Sequence, residues 1–467
     1  VNPLSDDIRG IDRGATLEYR GIRFARANRL QPPVDIDGWD PGFDATNSGA
    51  QAPQVGGALE NMLGADDVEM SEDCLFLNVV TPARDDRRRP VLVFVHGGAF
   101  VTGSGSTPWY DGAPLAARGD VVVITLNYRL GALGFLGDRN LGTLDQISAL
   151  RWVQRNVESF GGDPGRVTIF GESAGGAAVI SLLGAPAAAD LFHAVWAMSP
   201  SIPQLRTPDK AARMERRFLD AVGPDATIAD LEELSVDQIL AAQNADADLA
   251  RNFQNFTPTE DTDELPAGLL ENAARDPRPV VIGTNRDEML LFTAFDGSRK
   301  DWGEADVERA FRRRFDDRST MAIERYRDAR PESDANQLIS AMQTDELFRS
   351  PAQRFATARA EAGQPAFMYL FDQTSSAFGG ALGSCHGLDL PFAFDTLTAR
   401  GVETFTGSDS SLATVADQFA TALVTFAHDH DPGWVRYDTT RRATQRIGPV
   451  PDVVDDPEPA LRELWES

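Results

Sequence analysis

Lysine is almost missing from this chain: Lys210 and Lys300 are the only two in 467 residues, and arginine carries the rest of the positive charge. Acidic side chains outnumber Lys and Arg by 71 to 44, for a formal net charge of −27. That balance leaves little room for a basic patch, and so disfavours nucleic acid and anionic membrane surfaces as partners. Acidic, lysine-poor surfaces suit salty surroundings; a coding bias toward Ala, Arg and Asp gives the same composition. Cysteine is scarce too. Cys74 and Cys385 exclude a disulfide framework and leave one bridge at most. No apolar run reaches the roughly 18–20 residues that span a bilayer, so no membrane insertion is expected. The opening VNPLSDDIRG holds no signal-peptide h-region and no initiator Met, which leaves removal of a leader open. A soluble protein is expected, the cytoplasm favoured and secretion after processing the alternative.

What is present suits a large packed core: 42% hydrophobic and 25% charged residues. Apolar runs bounded by turn residues recur at 91–95 (VLVFV), 121–126 (VVVITL), 167–170 (VTIF), 279–283 (PVVIG) and 366–371 (AFMYLF). They are rich in Val and Ile with little alternation, as strands buried on both faces of a parallel sheet are. Between them, Ile147, Leu150, Val153 and Val157 fall at helical spacing, ended by Gly161, Gly162 and Pro164. Strand, helix and strand in turn predict a doubly wound α/β sheet, mostly parallel with helices on both faces. Two polar, helix-like stretches, 204–275 and 298–364, interrupt the alternation. They are expected as helical cap insertions beside the sheet, with the whole chain as one domain.

The chemistry concentrates at VTIFGESAGG, 167–176, where a buried strand runs into Gly171-Glu172-Ser173-Ala174-Gly175. This G-x-S-x-G elbow puts serine on a sharp, strained turn before a helix, the nucleophile position of an α/β-hydrolase sheet. The N–H of Ala174 would face an oxyanion forming at Ser173. Upstream, strand 91–95 runs into His96-Gly97-Gly98-Ala99-Phe100, a glycine turn able to offer the N–H groups of Gly98 and Ala99 to the same oxygen. His96 is expected to orient that loop.

In this fold the acid and then the histidine follow the serine. Of five histidines, His96 comes too early and His193 leaves no room for a strand and acid before it. His428 and His430 read as a solvated helix terminus. His386 follows strand 366–371 through a glycine-rich loop, which makes it the expected base. Asp287 and Glu288 lie just beyond strand 279–283, and spacing does not choose between them.

SEDCLFLNVVTP (71–82), HGGAF (96–100), NYRLGALGFL (127–136), the long segment 140–176, GTNRDE (283–288) and CHGLDLPFAF (385–394) together resemble the type-B carboxylesterase family, which includes bacterial carboxylesterases and cholinesterases. The likeness spans almost the whole chain. It implies Glu288 as the acid, and supporting places around the histidine for Glu172, Ser199 and Asp389. It also implies ion pairs Arg29–Glu72 and Arg129–Asp163. The cysteine that would bridge Cys74 in many relatives is absent near Gln51, so free thiols are expected at Cys74 and Cys385, and the loop Val55 to Met70 is unstapled and short. Gly21-Ile22-Arg23-Phe24-Ala25, Met289 and Ser199-Pro200-Ser201 depart from the family pattern, which bears on pocket shape.

The resulting expectation is a serine esterase acting on a small-molecule ester, with no cofactor and no metal; neither a G-x-G-x-x-G after the first strand nor a zinc-type His cluster occurs. Lipase, amidase or carbamate hydrolysis at the same site is the alternative. A non-catalytic adhesion protein, which the resemblance also allows, fits poorly with an intact triad. The oligomeric state is not legible.

Overall fold

The computed structural model describes residues 8–56, 68–245 and 255–466. Residues 57–67, most of the loop Val55 to Met70, lie outside the described residues. Among the described residues, eleven strands form the main sheet: β1 (Ile11–Asp12), β2 (Leu17–Arg23), β3 (Phe76–Thr81), β4 (Arg89–Val95), β5 (Val122–Leu126), β6 (Gly162–Glu172), β7 (Ala194–Met198), β8 (Val280–Asn285), β9 (Ala366–Phe371), β10 (Ala443–Ile447) and β11 (Asp452–Asp455). Their spatial order is 11-10-9-8-7-6-4-5-3-2-1. From β5 through β4 and β6 to β10 every neighbouring pair is parallel. The remaining pairs, β3 on β5 and those at both edges, are antiparallel.

Successive side chains of the central strands feed opposite cores. Val91, Val93, Val95, Val167 and Ile169 pack on one face, and Leu92, Phe94 and Phe170 on the other. Both sets are fully buried, which is why these strands read as unbroken apolar runs.

The helices follow from the same economy of burial. Helix α1 (Leu141–Asn156) buries Ile147, Leu150 and Val153. A 3-10 turn continues it to Phe160, where Gly161 at φ 76° stops it. Helix α2 (Ala174–Gly184) is buried along its whole length, so its small residues are those that fit against β6, β7 and a later helix.

Residues 204–275 contribute α3 (Pro208–Val222), α4 (Val236–Asn244) and α5 (Leu269–Arg275). Residues 298–364 contribute α6 (Glu304–Phe315), α7 (Ser319–Ala329), α8 (Ala335–Thr344) and α9 (Ser350–Glu361). Helix α9 lies on β8 and β9, while α6 to α8 share a small separate core. That core is completed by Leu461, Leu464 and Trp465 of the C-terminal helix α11 (Pro459–Glu466), which follows α10 (Leu412–Asp429) in the chain. Among the described residues no helix is long and apolar enough to cross a membrane.

Cys74 and Cys385 are unpaired and fully buried, in different cores. Burial pushes both thiols well above the usual range, so neither should react while the fold is intact. Thiol titration without reductant should find none in the native protein and two after denaturation. Absence of thiols in the denatured protein would contradict this pairing state.

Candidate active site

Parallel strands deliver their following loops to one edge of the sheet, about 4.8 Å apart. Here β4 leads to His96–Phe100, β6 to Ser173, β7 to Ser199, β8 to Glu288 and β9 to His386. Strand order thus gathers residues almost three hundred positions apart.

Ser173 holds φ 57° and ψ −117°, between the end of β6 and the start of α2. Such a conformation costs about 1–3 kcal/mol for a side chain with Cβ, and must be held by its surroundings. Its N–H donates to Met198 O at 3.0 Å, and its carbonyl accepts from Ala177 N at 2.9 Å and Ser201 N at 3.2 Å. Gly175 lies directly against the carbonyl of Val95, where any Cβ would collide. That close approach brings the turn after β4 beside the elbow. There Gly98, Ala99 and Phe100 take φ values of 105°, 54° and 61°. The Gly98 carbonyl accepts from Val101 and Thr102 at 3.0 and 2.9 Å. Among the described residues, none accepts from the N–H of Gly98 or Ala99. Ala174 opens its helix, so its N–H has no intrahelical acceptor either.

His96 supports this turn from behind. Its ring stacks on Tyr128 at 4.5 Å, and Nδ1 lies 2.8 Å from Gly97 O. Tyr128 Oη donates to His96 O at 2.9 Å. Burial pushes the His96 imidazole down to about 4, so it stays neutral behind the turn.

Glu288 is fully buried and its carboxylate is held at both oxygens. Oε1 accepts from Ser199 Oγ at 2.6 Å and Asn285 N at 2.7 Å; Oε2 meets His386 Nδ1 at 2.6 Å. The other ring nitrogen, Nε2, lies 3.1 Å from Glu172 Oε1. That contact is outside hydrogen-bonding geometry, and Glu172 Oε1 is buried with no hydrogen-bond partner. Nε2 therefore faces the elbow without being tied to the carboxylate beside it. Phe292 and Phe348 flank the imidazole with ring centroids 5.5 and 4.7 Å away.

Burial opposes a charged imidazole, but the carboxylates of Glu172, Glu288 and Asp389 outweigh it and push His386 up to about 9. Burial in turn pushes Glu172 up to about 8, helped by Asp389 and Glu288. Asp389 is pushed up to about 7 by burial and by Glu288.

His386 meets Glu288 and also Glu172, which directly precedes Ser173, and Ser199 meets Glu288. Gly97, just before the expected donors Gly98 and Ala99, lies against Ser173 and the Glu172 carbonyl, and Ala174 follows Ser173 at the start of α2. Ser199 touches the acid and not the histidine. Asp389 is one step further out, reached through Asn285 Nδ2 at 3.3 Å and Tyr369 Oη at 3.3 Å. Asp287 joins the two loops: its N–H donates to Ser384 O at 2.9 Å, and its carboxylate accepts from Ser384 N at 3.0 Å.

One expected ion pair is present and one is not. Arg29 pairs with Glu72, with Nε at 2.8 Å. Arg129 does not pair with Asp163. It grips fully buried Asp145 through Nη2 at 2.7 Å and Nε at 2.8 Å, and Asp163 pairs with Arg88 at 2.6 Å. Arg129 follows the carboxyl end of β5, whereas Asp163 starts β6 at the opposite edge of the sheet. Sequence reasoning also missed Asn285, Phe292, Thr344 and Phe348. Asn285 ends a recognised strand, and its side-chain contact to Cys385 O at 2.7 Å has no sequence signal.

The chain is similar to known proteins along almost its whole length. A profile described as the carboxylesterase family matches residues 6–450. The para-nitrobenzyl esterase of Bacillus subtilis (strain 168) is 33% identical over 98% of this chain and 96% of its own. The phenmedipham hydrolase of Pseudarthrobacter oxydans is 33% identical over 92% of this chain and 91% of its own. A crystal structure of a Geobacillus stearothermophilus carboxylesterase superposes with a TM-score of 0.87 at 34% identity, covering 98% of both chains. With the motifs, the sheet order and these likenesses in agreement along its length, the chain belongs to the carboxylesterase family and is a carboxylic ester hydrolase.

Proposed function

We propose that the protein hydrolyses small-molecule carboxylic esters through a Ser173–His386–Glu288 triad and a covalent acyl-enzyme. The observation that carries this is the 2.6 Å contact between His386 Nδ1 and buried Glu288, placed beside the strained turn of Ser173. His386 Nε2 takes the Ser173 proton as Oγ attacks the ester carbonyl. Glu288 keeps the remaining ring proton on Nδ1 and stabilises the imidazolium. The N–H groups of Gly98, Ala99 and Ala174 receive the oxyanion; one such donor is worth about 3–4 kcal/mol of barrier. His386 returns the proton to the departing alcohol, and water repeats the sequence on the acyl-enzyme. The helices of 204–275 and 298–364 act in this reading as caps on a single-domain hydrolase.

A fluorophosphonate probe should label Ser173 stoichiometrically and abolish turnover of a para-nitrobenzyl ester. Full labelling with undiminished turnover would sink the proposal.

The base must be neutral to act, so activity is lost as pH falls through the His386 pKa. Anions that raise that pKa move the acid limb to higher pH, above the roughly 6.5 of an isolated histidine. Removing the Glu172 charge takes away one raising influence. Glu172→Gln should therefore shift the limb of kcat/KM on a neutral ester to lower pH, while Ser173 stays reactive to the probe. An unmoved limb would show that Glu172 carries no charge in that range.

A further inference from the structure

The segment that places Phe348 beside the imidazole also grips the backbone just before Glu288. Asp345–Arg349 is one π-helical turn between α8 and α9. Such widened turns are rare in helices and recur at functional sites. Arg349 Nη2 donates to Arg286 O at 2.6 Å and to Asn285 O at 3.4 Å. Thr344, just before the turn, accepts from Met289 N at 3.1 Å. The backbone is thus held on both sides of Glu288 from one place.

Arg349 is buried, and its charge is met by Asp345 at 2.9 Å and Glu458 at 3.2 Å. Asp345 also accepts from Tyr326 Oη at 2.5 Å, which itself accepts from Trp465 Nε1 at 2.8 Å. A guanidinium fixed by two carboxylates points its remaining donors in a set direction. Those donors meet the carbonyls of the segment whose Asn285 N–H holds Glu288 Oε1. Tilting that segment would move the acid relative to His386 Nδ1.

We infer that Arg349 is a positioning residue for Glu288, fixing the tilt of the 285–288 turn and so the share of His386 in the tautomer that accepts the Ser173 proton. It touches neither substrate nor reacting atoms. The inference rests on the triad proposed above.

The test compares Arg349→Met, Arg349→Lys and the charge-neutral pair Asp345→Asn/Arg349→Met with Arg330→Met. Arg330 bonds Glu458 and Ala329 O, with no hydrogen bond to residues 285–289. Rates on a para-nitrobenzyl ester are taken per folded molecule, beside fluorophosphonate labelling of Ser173. Arg349→Met and the neutral pair should lose at least about tenfold in kcat with KM within about twofold, and labelling should slow by a similar factor. Arg349→Lys, which keeps the charge but cannot span both carbonyls and Asp345, should fall between. Arg330→Met should lower the melting temperature and leave kcat near wild type. Wild-type kcat in any folded Arg349 variant would overturn the inference, as would an equal loss in Arg330→Met. Glu288→Gln, run alongside, separates the failures: a Glu288→Gln enzyme at full rate sinks the triad, whereas its loss beside a normal Arg349→Met sinks only the positioning role.

Discussion

Ser173→Ala should fold as wild type and lose turnover of a simple aryl ester by on the order of 10^4-fold or more. The loss follows from the proposed path, in which every product molecule passes through a bond to Ser173 Oγ. The fold should survive because Oγ makes no hydrogen bond on which the elbow depends. The turn is held instead by backbone bonds to Met198, Ala177 and Ser201 and by the closeness of Gly175 to Val95. Alanine has the same Cβ and meets the same strain at φ 57°, so stability should change by no more than about 1 kcal/mol. Circular dichroism and a melting curve beside the steady-state rate check both halves. A variant inactive because it is unfolded would say nothing for the nucleophile, and one at wild-type rate would exclude it.

Glu288→Gln should cost on the order of 10^3–10^4-fold in kcat, and the contacts of the carboxylate say why. Oε1 accepts from Asn285 N–H and Ser199 Oγ, and Oε2 faces Nδ1. An amide has only one accepting oxygen. Kept toward Asn285, it turns its NH2 to Nδ1 and forces the ring proton onto Nε2, where it blocks acceptance from Ser173. Turned toward Nδ1, it sets NH2 against the Asn285 N–H inside the core. Either arrangement removes imidazolium support. Asp287→Asn should cost no more than about tenfold, because its new carbonyl oxygen can still accept from Ser384 N and its backbone bond is untouched. Steady-state kinetics on the two variants ranks them. A larger loss in Asp287→Asn would move the acid by one residue.

The parts legible in the sequence were those that leave a local imprint. Strands β4 to β9 other than β7 announce themselves because they are buried on both faces. Gly171 to Gly175 announce themselves because that elbow tolerates few residues. Strands β10 and β11 were not legible: Ala443–Ile447 buries only part of its residues and Asp452–Asp455 almost nothing, so no apolar run forms. Helix α1 begins at Leu141, six residues before its regular apolar spacing shows at Ile147, because its first turn is buried on more than one side. The proposed base could be reached by order and elimination, but the proposed acid needed family resemblance, since Asp287 and Glu288 differ only in where each side chain points. Arg129 and Asp163 show the opposite risk: partners implied by the resemblance that the sheet sets at opposite edges. The contacts of Thr344, Phe348 and Arg349 depend on a helical turn some sixty residues from Glu288, and nothing near either segment signals the other.

If catalysis runs through an acyl group on Ser173, mass spectrometry of enzyme quenched in acid during turnover of an aryl ester should catch it. The protein should gain the mass of one acyl group, located on the peptide that holds Ser173, and Ser173→Ala should gain none. Sustained turnover with no adduct on that peptide, or an adduct that persists in Ser173→Ala at the wild-type rate of formation, would exclude Ser173 as the acyl carrier.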